Sequence, residues 1–440
     1  MAWRVTRRRF LGGAGSAALV AGAHVLGLVP RRARAALPAD PVVVLVELAG
    51  GNDALNTVVP VNNVGIPQRS LYDFYRPDLG IAAVDLSATL IGVDPVVGTS
   101  LALHPAMTGL VSLYGMGKLA VLQGVGIPNA PFDHSRAAAI WAAGDPAGFA
   151  GTGWLGRYAD GELDPIEVPV PALALGLRRS LAFDSAAMHA LTAATLDPFG
   201  LPDDPLFPDL PARAAAWQAI FAADAGDDPL GAMLRAAGGQ VLAEQATFPN
   251  VVFAGWGSQL EAAPSALHED LHQVVSLLRY DQLNPGTASG IRQFHVVHPG
   301  YDTHAQQGLT DSGDRHATLL SELSDALSRF YADLVALGLD GRVLVLAYSE
   351  FGRRARQNGV GEEAGTDHGS PGVVLALGGA VVGGVYGQMP GLDDLDATGN
   401  PKVLVDFRRV WATVIERWLG ATPDDFLPGG PFTSIDFLLP

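Results

Sequence analysis

Two short stretches, Tyr301-Asp302-Thr303-His304 and Gly365-Thr366-Asp367-His368-Gly369, each set a carboxylate and an imidazole within two residues of one another. Carboxylate oxygens and neutral imidazole nitrogens are the ligands of divalent cations. Each stretch also flanks an apolar run that reads as a core strand. At the strand ends of an α/β sheet the loops converge on one crevice, so these residue types in these places point to a metal site.

Three further groups join them. Glu350 closes the run Arg342 to Ala347 and is followed by Arg353 and Arg354. It reads as a metal ligand or base, with the two arginines as bidentate partners for an anion, or simply as their ion-pair partner. Asp53 ends the first apolar run and precedes Asn56 and Thr57; it reads as a metal ligand or as a helix N-cap. In Asp133-His134-Ser135-Arg136, Ser135 beside His134 at a helix start reads as an activated nucleophile or as a capping serine. His268 and His272, four residues apart, read as an exposed helix face.

Stepping outward, the elements that must carry these groups are legible as apolar runs. Val42 to Leu48, Lys118 to Val125, Phe294 to His298, Arg342 to Ala347 and Val373 to Leu377 are β-branched or leucine-rich runs without polar alternation, the pattern of strands buried on both faces. Helical spacing is expected at Pro105–Tyr114, Ala137–Ala143 and Arg315–Leu337. The alternation predicts an α/β fold with a mostly parallel central sheet covered on both faces. The Pro/Asp-rich tract Asp197 to Pro205 breaks the pattern, with helical stretches at Pro211–Ala223 and Pro229–Ala246. The region from about 160 to 281 is therefore expected as a helical and loop cap inserted into a single domain spanning 36–440.

The 440 residues include 28 basic and 45 acidic side chains and no cysteine. The acidic balance argues against nucleic acid as a partner. The missing thiols exclude disulfides, thiolate nucleophiles and Cys-ligated metals. Residues 1–35 read as an export segment: Arg7-Arg8-Arg9-Phe10-Leu11 resembles a twin-arginine motif, an apolar Gly/Ala-rich stretch follows, and Ala33-Arg34-Ala35 suits cleavage. The translocase of that pathway is thus an expected partner, a periplasmic or extracellular location is expected, and no stable membrane span is expected after cleavage.

The ordered motifs GGNDALNTVVP, ALHPAM, WLGRY, YDTHAQQ, SEFGRR, GTDHG and VYGQMPGL, from Gly50 to Leu392, resemble the exported bacterial family known as domain of unknown function (DUF) 1501, grouped with the alkaline phosphatase and sulfatase superfamily. The resemblance implies a three-layer α/β/α sandwich and a metal-centred crevice that hydrolyses phosphate or sulfate esters. It implies one or two divalent metals (Zn, Mn, Mg or Ca) held by Asp53, Asp302, His304, Glu350, Asp367 and His368. Asn56, His134, Arg353 and Arg354 would bind the small-molecule or polymeric anionic ester, and Ser135 or Thr57 would be the nucleophile. Phe351 stands where phosphatases of the superfamily carry a histidine. The other reading is a catalytically degenerate, metal-containing binding or scaffold protein of the cell envelope.

Overall fold

Val42 to Val46 alternates no polar residues, and all five side chains are buried, which requires cover on both faces. The computed structural model describes residues 38–148, 151–176, 178–196, 209–222, 251–261, 264–310 and 313–439, with 231 and 235 as isolated positions. The export segment expected at 1–35 and most of the helix expected at 229–246 lie outside the described residues.

A nine-stranded sheet forms the middle layer. Its strands are β1 (Val42–Ala49), β2 (Leu119–Gly126), β3 (Ala172–Leu175), β4 (Ala190–Ala193), β5 (Gln293–Pro299), β6 (Val343–Tyr348), β7 (Gly372–Leu377), β8 (Gly384–Gly387) and β9 (Val405–Asp406). Across the sheet the order is β8-β2-β7-β6-β1-β5-β3-β4, and β9 also pairs with β2. β1 lies between β6 and β5, parallel to both, and β3 runs parallel with β5 and β4. Only β7 is reversed, antiparallel to both β6 and β2.

The helices used below are α1 (Ala54–Thr57), α2 (Thr108–Gly115), α3 (His134–Ala143), α4 (Trp154–Glu162), α5 (Ala266–Leu283), α6 (Arg315–Ala336) and α7 (Arg408–Thr413). Val42, Val44 and Val46 share one apolar cluster with Leu110 of α2, Leu271 and Val274 of α5, and Leu323 and Phe330 of α6. Val43 and Leu45 face the other, with Trp141 of α3, Trp154 of α4 and Trp411 of α7. The period of two along one strand thus feeds two cores, giving three layers.

Of the expected cap, β3 and β4 belong to the central sheet and α5 packs on its face. In the remainder of that region the described residues include a helix spanning Leu210–Ala222. Among the described residues no helix is long and apolar enough to cross a membrane.

Candidate metal centre

Three loops and one helix start meet at the carboxyl edge of the sheet. Asp302 and His304 follow β5, Glu350 follows β6, and α3 begins at His134. His368 precedes β7, and it reaches the same edge only because β7 runs backwards. The loops approach closely where glycine permits it. A Cβ on Gly50 would sit 2.3 Å from the Asp302 backbone nitrogen, and one on Gly365 would sit 2.3 Å from the His304 carbonyl carbon.

Arg353 fastens this arrangement. Its buried guanidinium donates to the carbonyls of Gly50, Gly51 (2.7 Å), Tyr301 (2.9 Å) and Thr366 (2.7 Å), and to Asp302 Oδ1 (2.7 Å). Buried, with all three guanidinium nitrogens bonded to the loops, it frames the site instead of binding an anion, which corrects the role expected for it.

The imidazoles follow one rule. His134 Nδ1 meets Glu350 Oε1 at 2.7 Å, His304 Nδ1 meets Asp367 Oδ1 at 3.2 Å, and His368 Nδ1 meets the Phe132 carbonyl at 2.9 Å. Each Nδ1 faces an oxygen that accepts, so each ring turns Nε2 toward the centre. There, His304 Nε2 and His368 Nε2 both lie 3.2 Å from Asp302 Oδ1, and His134 Nε2 lies 3.5 Å from Asp302 Oδ2. His134 Nε2 is buried with no hydrogen-bond partner. Bonds of about 2.0–2.2 Å in a tetrahedral site put ligand atoms roughly 3.3–3.6 Å apart, so the contacts to Asp302 suit one cation, while His304 Nε2 and His368 Nε2 stand closer, at 2.8 Å. One ligand atom each from His134, Asp302 and His368 fall within 4.8 Å of one another.

The electrostatics of the two aspartates agree with the geometry. Burial works against ionising Asp302, but hydrogen bonds from Arg353 and His368 override it and hold the carboxyl at about 2. Burial likewise opposes ionisation of Asp367, and hydrogen bonds from Asn358 and His304 keep it below the usual carboxylate range. The Glu350 hydrogen bond raises His134 above its ordinary value. Glu350 itself is anchored by the Gly50 N–H (2.9 Å) and the Ser349 hydroxyl (2.9 Å). Phe351 is buried and packs its ring 4.9 Å from His134 and 4.8 Å from His368. It backs the imidazoles as an apolar plate.

The expected ligand set therefore divides. Asp302, His304 and His368 point inward, with His134, expected to bind substrate, as the fourth. Glu350 and Asp367 stand behind the rings as orienting carboxylates. Asp53 stands apart: it caps α1 through Leu55 N and Asn56 N, and its other oxygen takes Arg76 and Gln307. With both oxygens used inside the core, it has no electron pair for a metal.

Asn56 accepts from Arg76 and Tyr72 and donates to the Leu79 carbonyl, so it belongs to the same buried frame. The Thr57 hydroxyl, buried, donates to the Asp53 carbonyl at 2.7 Å and pairs with Asn52, so the structure places it in the core frame and not among the groups at the centre. Ser135 lines a different cavity, with Glu47 and His295. Arg354 is half-exposed, its Nη1 3.8 Å from Asp367 Oδ2. Sequence reasoning missed Arg76, Gln307 and Phe132, whose roles depend on partners more than 20 residues away and leave no local signal. Beside the centre, Asn129, Phe132, Ser370 and Lys402 line an open groove of about 530 Å³.

The sequence profile of a family described as protein of unknown function (DUF1501) matches residues 287–426, which include Asp302, His304, Glu350, Asp367 and His368. No curated protein matches. Among solved structures, the C-terminal periplasmic domain of EcEptC from Escherichia coli in complex with Zn is similar at 9% identity and TM-score 0.32, over 78% of this chain and 74% of that one. The PsFucS1 sulfatase from Pseudoalteromonas sp. is similar at 12% identity and TM-score 0.36, over 91% and 72%. The alkaline phosphatase from the Antarctic bacterium TAB5 is similar at 11% identity and TM-score 0.30, over 79% and 94%.

Proposed function

We propose that this protein is an exported, metal-dependent hydrolase of phosphate or sulfate esters. The observation that carries the reading is the convergence of three Nε2 atoms, each with its Nδ1 tied to an oxygen, on the two oxygens of Asp302. Such a donor set fits a divalent cation. Its imidazole majority favours zinc over manganese, magnesium or calcium. The cation would supply Lewis acidity to an ester oxygen.

The chain's own residues do the rest. Glu350, Asp367 and the Phe132 carbonyl hold the ring orientations, and Arg353 keeps Asp302 ionised and aimed. The groove beside the centre offers Asn129 and Ser370 to the remainder of the substrate, and Arg354 adds positive charge at the rim. With Thr57 locked in the core and Ser135 in another cavity, water is the attacking group. The twin-arginine motif at Arg7-Arg8 supports export to the periplasm or beyond.

A second reading draws on the same two hydroxyls. A superfamily fold whose expected nucleophiles are committed elsewhere suits a protein that holds metal and binds an anionic ligand without turnover. Purified protein, with and without added zinc or manganese, tested on aryl phosphates and aryl sulfates separates the two. Chelator-sensitive hydrolysis lost in His368→Ala supports the hydrolase. Stoichiometric metal with no ester cleaved refutes it in favour of the binder.

A further inference from the structure

Glu47 sits where the strand pattern calls for an apolar side chain. On β1 it continues the face of Val43 and Leu45, and it is 8% exposed. A carboxylate taken out of water costs several kcal/mol unless it is paired. Among the described residues its side-chain contact is His295 of the neighbouring β5, with Nε2 3.2 Å from Glu47 Oε2. On the far side of the ring, His295 Nδ1, also buried, has no partner. His295 is 6% exposed, so neither group turns to bulk water. Two adjacent strands thus place a buried carboxylate and imidazole, the imidazole Nδ1 unpartnered, on a face otherwise given to hydrophobic packing.

Both groups line one cavity of about 130 Å³, together with Ser135, Ser180, Arg178 and Tyr348. Tyr348 is the register neighbour of Glu47 on β6, and its ring stacks on Trp141 at 4.9 Å, giving one wall a flat aromatic backing. Arg178 is exposed and near enough to act electrostatically on Glu47. The adjacent Arg179 is committed to Asp184 at 2.7 Å. The floor therefore wants hydrogen-bond donors, the walls carry two hydroxyls, and the rim carries a positive charge.

We propose that this cavity is a binding site for a small polyhydroxylated anion, the size of one sugar ring bearing a carboxylate or phosphate. Ring hydroxyls donate to Glu47 and pair with His295 Nδ1, while Arg178 takes the anionic substituent. The site uses none of Asp302, His304 and His368, so it stands whether or not the metal centre hydrolyses esters. It lies along α3, lined by Ser135, Ala138 and Ala142, with Ser135 beside His134 and Tyr348 two residues before Glu350.

Calorimetric titration of the whole mature protein with D-glucuronate, glucose 6-phosphate, glucose and inorganic phosphate tests this. Saturable binding of at least one sugar anion is expected, about tenfold or more tighter than glucose or phosphate. Glu47→Gln and Arg178→Met should each weaken it about tenfold or more, and the exposed position of Arg178 keeps that variant folded. His304→Ala should leave it unchanged. Binding of neither sugar anion overturns the proposal. So does phosphate binding as tightly as glucose 6-phosphate, or binding lost in His304→Ala but kept in Arg178→Met.

Discussion

His304 Nε2 and His368 Nε2 stand 2.8 Å apart while both rings hold their Nδ1 against acceptors, Asp367 and the Phe132 carbonyl. Two lone pairs at that distance repel unless a cation lies between them, either a shared proton or a metal ion. The Asp302 carboxylate, held ionised by Arg353, supplies the negative charge that such a cation needs.

Removing one inward-facing ring should therefore cost more than loosening its support. His368→Ala is expected to lower metal affinity more than about 100-fold, and Glu350→Gln, acting through His134, by about 10- to 100-fold. Competition with a chromogenic chelator measures both. Equal, small effects would place the metal elsewhere.

Asp53 makes the opposite case. Its carboxylate and Arg76 are both fully buried, so Arg76→Met strands a charge in the core. Breaking such a pair costs about 3–5 kcal/mol, to be read from urea unfolding. Metal content per folded molecule should not change. Loss of metal with little loss of stability would return Asp53 to the ligand set.

The two hydroxyls give a third test. Thr57→Val should cost about 1–3 kcal/mol of stability through Asn52 and the Asp53 carbonyl, with no loss of turnover per folded molecule. Ser135→Ala should also keep turnover. A large drop in kcat for either variant would make that hydroxyl the nucleophile.

The strands were legible because a doubly buried strand has one signature. Val42 to Leu48, Lys118 to Val125 and Val373 to Leu377 fall within a residue of β1, β2 and β7. Direction was not legible, since an apolar run reads alike both ways. Yet the reversal of β7 is what brings His368 to the carboxyl edge beside Asp302. β3 and β4, four residues each, are too short to stand out from the loops around them. Asp-x-His and Asp-His pairs signalled the centre by residue type. Which carboxylate faces the cation and which one orients a ring depends on partners up to 216 residues distant, as with His134 and Glu350. Glu47 and His295 were visible as polar residues inside apolar runs, a signal that carries meaning only once the cavity they share is seen.

Acid stability provides a fourth test. Burial pushes His316 down to about 3, whereas an unfolded histidine titrates near 6.5. The folded state thus holds this ring neutral while the unfolded state takes up a proton. Its contribution is complete above about pH 6.5 and is lost as pH falls toward about 3, on the order of a few kcal/mol. Urea midpoints between those limits should fall more steeply for the native protein than for His316→Phe. Parallel slopes would show that His316 is not the group responsible.

The most direct test of the centre is anomalous diffraction, at the zinc and manganese edges, from crystals of protein purified without chelator. A peak about 2.0–2.2 Å from His304 Nε2, His368 Nε2 and Asp302 Oδ1 is the expected result. A map empty there at both edges, with the two imidazoles still in contact, would mean that a proton bridges them and that the site holds no metal.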